Sequence, residues 1–311
     1  MQTRGKVVIV GVLDQFGSTN IYMAKAFMKA GFDVVPVNYR TIVQQFGPNT
    51  LKEVLFRIAN DKPQLMLFSK FNGMPSDIIG KCGLRTKTWF WFMDGMNTLR
   101  TVPECMGHAQ LANYTSCTGM GVANHIKKQL GGDKDVYHIM EGIDPEVYRP
   151  TVISDKLVAD ISFIGTNNPE RHHYLNLLAT NGFSVAAYGS GFNTEVHGSQ
   201  FNQVCSSSES MLALSVEHGT LGYFSDRVFR YGACGSFVFH KYAPRMDRFF
   251  THGQDIVYWH DDASLLNVAR EFLGPDGKEK RDIISMNLHN KVLRNHTWDN
   301  VVAQISSVVG I

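Results

Sequence analysis

Short, unbroken apolar runs alternate with helix-like stretches along the first 140 residues, stop at a turn-rich join, and then begin again. Residues 6–13 are the first such run, which marks a strand buried on both faces. Residues 14–20 form a turn, residues 21–30 repeat apolar side chains at helical spacing, Gly31 stops the helix, and residues 32–37 make a second strand. A helix at 51–60 and strands at 64–68, 88–92, 114–117 and 136–140 continue the series, with a helix at 121–130. After the join at 141–150 the rhythm restarts: a strand at 159–165, a helix through Ala179 and a strand at 182–189. Shorter strands at 237–240 and 256–259 and helices at 265–273 and 301–309 follow. Alternation at this spacing predicts α/β architecture with parallel, doubly wound sheets, and the restart predicts two such domains, 1–148 and 149–311.

Composition agrees with two cored domains. The chain has 311 residues, 44% hydrophobic and 19% charged, so it has enough apolar side chain for large cores. No apolar run approaches the roughly 20 residues of a membrane span, and the start of the chain lacks a secretory leader pattern. Five scattered cysteines make no zinc-ligand spacing and read as reduced thiols, so a cytoplasmic protein is expected. The net charge of +2 divides into +5 over residues 1–150 and −3 over the remainder, a mild hint of an anionic partner for the first half.

Parallel sheets bind ligands beyond the carboxyl ends of their strands, so the informative loops are 14–20, 94–100, 165–171, 189–193 and 219–227. Gly165, Thr166 and Arg171 bracket a helix start, where backbone N–H groups, the helix dipole and a guanidinium would hold a diphosphate. Ser225 or Asp226 is placed to cap a helix that carries Arg227 and Arg230, followed by the small residues Gly232, Ala233 and Gly235. Asp94 follows the very apolar stretch 89–92, where partial desolvation would favour a general base, and Asp14 has the same position after the first strand. No histidine pattern suggests a metal, and Cys234 has no His/Asn framework that would make it a nucleophile.

Three stretches carry a family resemblance. Residues 159–166 with Arg171, the segment Ser225-Asp226-Arg227-Val228-Phe229 before Ala233-Cys234-Gly235, and the join Gly142-Ile143-Asp144-Pro145 with Tyr148-Arg149-Pro150 resemble GT-B glycosyltransferases, within them the spore-maturation CgeB-like group. The resemblance implies two Rossmann-like domains facing across a cleft. It implies a nucleotide-sugar donor, UDP-linked, on the C-terminal domain, an acceptor on the N-terminal domain, and no metal or other cofactor. Gly165, Thr166 and Arg171 would lie at the diphosphate, Ser225, Arg227 and Arg230 at the phosphates or sugar, and Tyr188 and Gly189 beside the base. The last helix, from about 297, would cross back to the first domain. Asp94 or Asp14 would orient or deprotonate the acceptor: a glycan, a protein, a small molecule or a modified nucleic-acid base. One departure stands out. The paired glutamates of retaining members are replaced by Gly222 and Arg230. A non-catalytic nucleotide-sugar-binding protein and a sugar-nucleotide epimerase or hydrolase therefore stay open as alternatives. Loss of turnover with an intact fold is the expectation for Arg227→Ala.

Overall fold

A computed structural model of the chain describes residues 3–15, 17–192 and 194–311. Phe16 and Asn193, in two of the loops singled out above, lie outside the described residues, as do Met1 and Gln2. Contacts divide the chain into two compact units: residues 1–142 with 220–223 and 298–311, and residues 143–219 with 224–297.

The first unit is built on six parallel strands: β1 (Lys6–Gly11), β2 (Asp33–Asn38), β3 (Leu65–Ser69), β4 (Thr88–Phe92), β5 (Tyr114–Cys117) and β6 (Val136–His138). Their order is β2-β1-β3-β4-β5-β6. Val7–Val10 and every residue of β3 and β4 are buried, because helices cover both faces of the sheet; this is why these strands read as unbroken apolar runs. The helices are α1 (Thr19–Lys29), α2 (Tyr39–Asn60), α3 (Asp77–Gly83), α4 (Met96–Thr101), α5 (Glu104–Leu111) and α6 (Met120–Gln129). α2 begins much earlier than the apolar spacing predicts, and the reason is local. Gly47 leaves helical geometry at φ +82 ahead of Pro48, so the helix bends there and its periodicity is broken. The chain's last helix, Trp298–Val309, packs on α1. Its Trp298 ring meets Trp91 edge-on at 5.9 Å, and Asp299 pairs with Lys29 at 2.5 Å.

The second unit has five parallel strands: β7 (Ile161–Ile164), β8 (Val185–Tyr188), β9 (Met211–Ala213), β10 (Val238–Lys241) and β11 (Val257–Trp259), in the order β11-β10-β9-β7-β8. Its helices are α7 (Pro169–Thr180), α8 (Ser199–Ser207), α9 (Arg227–Ala233), α10 (Asp262–Leu273) and α11 (Lys278–Asn295). The chain's last helix is therefore α12. The core gathers Phe163, Leu178, Leu212, Phe239, Trp259 and Leu265, all from the inward faces of these elements. α7 starts where the sequence signals it: Pro169 occupies the first turn, and Asn168 Oδ1 accepts from Arg171 N at 2.8 Å. α10 opens on a capping box between Asp261 and Ser264.

Candidate functional site

In both sheets the chain reverses its direction of travel between two neighbouring strands, and the crevice beyond the carboxyl ends of those strands is where such folds bind ligands. In the second unit that point lies between β7 and β9. Two arginines converge on it. Arg171, from the first turn of α7 and only 4% exposed, donates through Nη1 to Thr166 O at 2.6 Å and through Nη2 to Leu214 O at 3.2 Å. Arg227, at the start of α9, donates through Nε to Ile164 O at 2.7 Å and through Nη1 to Leu214 O at 2.8 Å. Each guanidinium also stands 5.2 Å from the Phe163 ring centroid. The two cations stitch together the ends of β7 and β9.

The loops around them interlock through glycines. Arg227 Nη2 fills the space over Gly165, where a Cβ would come within 2.6 Å of it. Gly189, at φ +118, lies so close to the next loop that a Cβ would stand 2.4 Å from Gly165 O. Gly165 N in turn donates to Tyr188 O at 2.8 Å. Tyr188 ends β8 half-buried, and burial raises its phenol pKa. Ser225 orients Arg227: its Oγ accepts from Arg227 N at 3.3 Å and from Nη1 at 3.2 Å. The hydroxyl of the buried Tyr231 accepts from Ile164 N at 2.9 Å and ties α9 to the end of β7.

Gly165, Thr166, Arg171, Tyr188, Gly189, Ser225 and Arg227 are thus brought to one edge by bonds between them or their neighbours. Arg230 is engaged differently, by Asp226 at 2.5 Å and by the face of the Tyr148 ring at 5.3 Å. Asp226 sits at the N-cap of α9 but makes no cap bond, since its carboxylate serves Arg230 instead. At the other position where a glutamate was absent, Gly222 adopts φ +60, and a Cβ there would lie 2.6 Å from Met120 Cγ. A larger residue there would have to displace the Met120 side chain and adopt a left-handed backbone.

Sequence reasoning missed the polar cluster beside the arginines. Glu170, in the first turn of α7, receives Lys241 Nζ at 2.5 Å, and His218 Nε2 stands 3.8 Å away. Lys241, the last residue of β10, also donates to Tyr174 OH at 2.9 Å. Burial opposes its charge, but the bonds to Glu170 and Tyr174 outweigh that and raise its pKa. The available signal was positional: Glu170 lies in the helix start that drew attention to Arg171, and Lys241 directly follows an apolar strand.

Burial pushes three imidazoles of this unit down, His218 and His296 to about 4 and His240 to about 3, so all three stay neutral in the folded protein. An unfolded histidine takes up its proton near pH 6.5. Between about 6.5 and 4 the unfolded chain therefore binds more protons, and stability falls as pH falls through that window. Calorimetry should show the melting temperature dropping from pH 7 to pH 4.5, with a shallower slope in His218→Gln. An unchanged slope in that variant would remove His218 from the account.

In the first unit the reversal lies between β1 and β3. Both sequence-predicted carboxylates stand near this edge, beyond β1 and β4. Asp94 Oδ1 is paired with Lys70 Nζ at 2.9 Å and the side chain is 25% exposed. Asp14 accepts from Thr41 Oγ1 at 2.7 Å, and this bond, helped by Asn38, holds its pKa below the usual value. Among the described residues no group of three or more His, Cys, Asp or Glu is placed to hold a metal. No helix of the described residues is long and apolar enough to cross a membrane.

Two parallel-sheet, Rossmann-like α/β units of this kind are the GT-B glycosyltransferase fold. Residues 171–307 match the profile of a family described as glycosyl transferase-like. Among solved structures, Anabaena HepE in complex with UDP-glucose is similar at TM-score 0.72 and 12% identity, over 99% of this chain and 100% of that one. A glycosyltransferase from Rickettsia africae gives TM-score 0.70 at 11% identity, over 98% and 97% of the two chains. A sucrose-phosphate synthase from Thermosynechococcus elongatus gives 0.66 at 13% identity, over 98% of each. No curated protein matches the chain.

Proposed function

We propose that the protein is a glycosyltransferase that moves a sugar, a hexose or a close relative, from a UDP-linked donor to a hydroxyl-bearing acceptor. The observation that carries this reading is the convergence of Arg171 and Arg227 on the β7/β9 switch point beside the N-terminus of α7. A diphosphate at that edge would meet the positive end of a helix and two fixed cations, the arrangement that stabilises a departing nucleoside diphosphate. The UDP-glucose complex of Anabaena HepE supports UDP as the donor's leaving group. Gly165, Thr166, Arg171, Ser225 and Arg227 hold the donor phosphates in this reading, Tyr188 and Gly189 flank the base, and Arg230 supports α9 through Asp226. Asp94, with Asp14 as the weaker candidate, receives the acceptor's proton. The donor half is of the CgeB-like kind, no metal takes part, and five buried thiols without disulfides support the cytoplasm as its compartment.

The test has two stages. UDP-glucose, UDP-galactose and UDP-N-acetylglucosamine are screened by thermal shift. A ligand at about 100 times its Kd adds about 2.7 kcal/mol and raises the melting temperature by roughly 5–10 °C. A panel without any shift refutes the donor site. With a binding donor in hand, Asp94→Asn is expected to lower transfer by about 100-fold or more while donor binding persists. UDP released from donor alone would instead identify a hydrolase, and turnover unchanged in Asp94→Asn would discard Asp94 as the base.

A further inference from the structure

Glu170 works against a diphosphate at the start of α7. Its carboxylate belongs to the first turn of that helix, next in the chain to Arg171. Asn168 supplies the cap, its Oδ1 accepting from Arg171 N, and Glu170 turns instead to Lys241. With 34% of its side chain exposed, Glu170 is only partly screened by water. A free carboxylate at this place would repel a phosphate and compete with it for the neighbouring guanidinium.

Lys241 cancels that charge, and it comes from a distant part of the sheet to do so. In the order β10-β9-β7 a whole strand separates β10, which carries Lys241, from β7, which leads into α7. Lys241 Nζ spans that strand to reach Glu170 Oε1 at 2.5 Å. Tyr174 OH accepts from the same ammonium at 2.9 Å, and the rings of Tyr174 and Trp259 lie 4.7 and 5.7 Å from it. Those two rings brace each other edge-on at 4.5 Å. Only 16% of the lysine side chain is exposed, so this is a fixed charge, unlike the loose pairs of a protein surface. His218 Nε2 also faces Glu170, at 3.8 Å, but burial keeps that imidazole neutral, so the cancelling charge is the lysine's.

We infer that Lys241 is a positioning residue of the donor site: it ties Glu170 down and keeps the edge beside Arg171 receptive to a diphosphate. The inference rests on the donor site of the transferase reading. Together the two side chains set how strongly that edge attracts an anion. With both present their charges sum to zero; Glu170 alone adds a negative charge and Lys241 alone a positive one.

Isothermal titration of the full chain with UDP, at about pH 8 so that histidines stay uncharged, tests the inference. Lys241→Met keeps the apolar stem and loses the cation, and is expected to weaken UDP binding about fivefold or more. Glu170→Gln is expected to tighten it about threefold, a gain that the loss of a merely structural bond does not produce. The double variant is expected to return to within about twofold of the wild type, and Lys241→Arg, which keeps the cation, to stay within the same range. UDP affinity unmoved in Lys241→Met, or weakened in Glu170→Gln, overturns the inference. A double variant as weak as Lys241→Met makes the lysine a structural support and overturns it as well. Glu170→Gln decides the case if Lys241→Met does not fold. UDP that fails to bind the wild-type chain overturns the donor reading and this inference with it, whereas wild-type binding with unchanged variants overturns this inference alone.

Discussion

Arg227→Ala is expected to reduce sugar transfer by about 100-fold or more, and also to melt the second unit roughly 5–10 °C earlier. Sequence reasoning alone anticipated the first effect with an intact fold. The geometry adds the second. The guanidinium donates to Ile164 O and Leu214 O and so joins the carboxyl ends of β7 and β9. Removing it leaves Leu214 O with Arg171 alone and Ile164 O with only the Tyr231 hydroxyl, at a cost of about 2–3 kcal/mol. Arg227→Lys separates the two contributions: it keeps a cation near the phosphates but cannot span both carbonyls, because an ammonium lacks the planar fork. Steady-state transfer and calorimetry on both variants are the measurements. Turnover close to wild type in Arg227→Ala would sink its place at the donor site, whatever happens to the melting temperature.

Gly189→Ala has the second large expected effect. At φ +118 an alanine is strained by its own backbone, and its Cβ would stand 2.4 Å from Gly165 O and 2.7 Å from Gly165 C. Both are backbone atoms, so relief requires moving the loop between β7 and α7, the same loop that presents Thr166 O to Arg171. A loss of about 3 kcal/mol and a fall in melting temperature of roughly 6–12 °C follow, with weakened UDP-sugar binding. Gly182→Ala is the control. Its φ of +94 carries the strain, but a Cβ there meets nothing within 4 Å. It should lose about 1 kcal/mol and leave donor binding unaffected. Equal effects at the two positions would refute the interlocked-loop account.

Much of the architecture was legible because the strands are covered on both faces. Residues 7–10, 65–68 and 89–92 had to be apolar throughout, and that pattern needs no partner to be recognised. Elements with a weaker signature escaped. α11 opens Lys278-Glu279-Lys280-Arg281-Asp282 and places only a narrow stripe, Ile284, Leu288 and Val292, in the core. β9 is three residues long, and α3, α4 and α5 have only six to eight residues each. Short elements contain too little periodicity to announce themselves, and their stability comes from neighbours distant in sequence.

The site divides the same way. Sequence by itself determined the strand-to-helix rhythm, the turn at Gly165 and the helix start at Asn168 and Pro169, since each depends on residues a few positions apart. It also placed Arg171 and Arg227 at helix starts and Asp14 and Asp94 at strand ends. Tertiary structure alone decided what those side chains do. Arg171 and Arg227 meet at Leu214 O from positions 43 and 13 residues away. Lys241 finds Glu170 across 71 residues, and Asn20 is left with a buried oxygen unmatched. A side chain's partner is set by which strands become neighbours in the sheet, and strand order is a property of the whole chain's packing that no local pattern encodes.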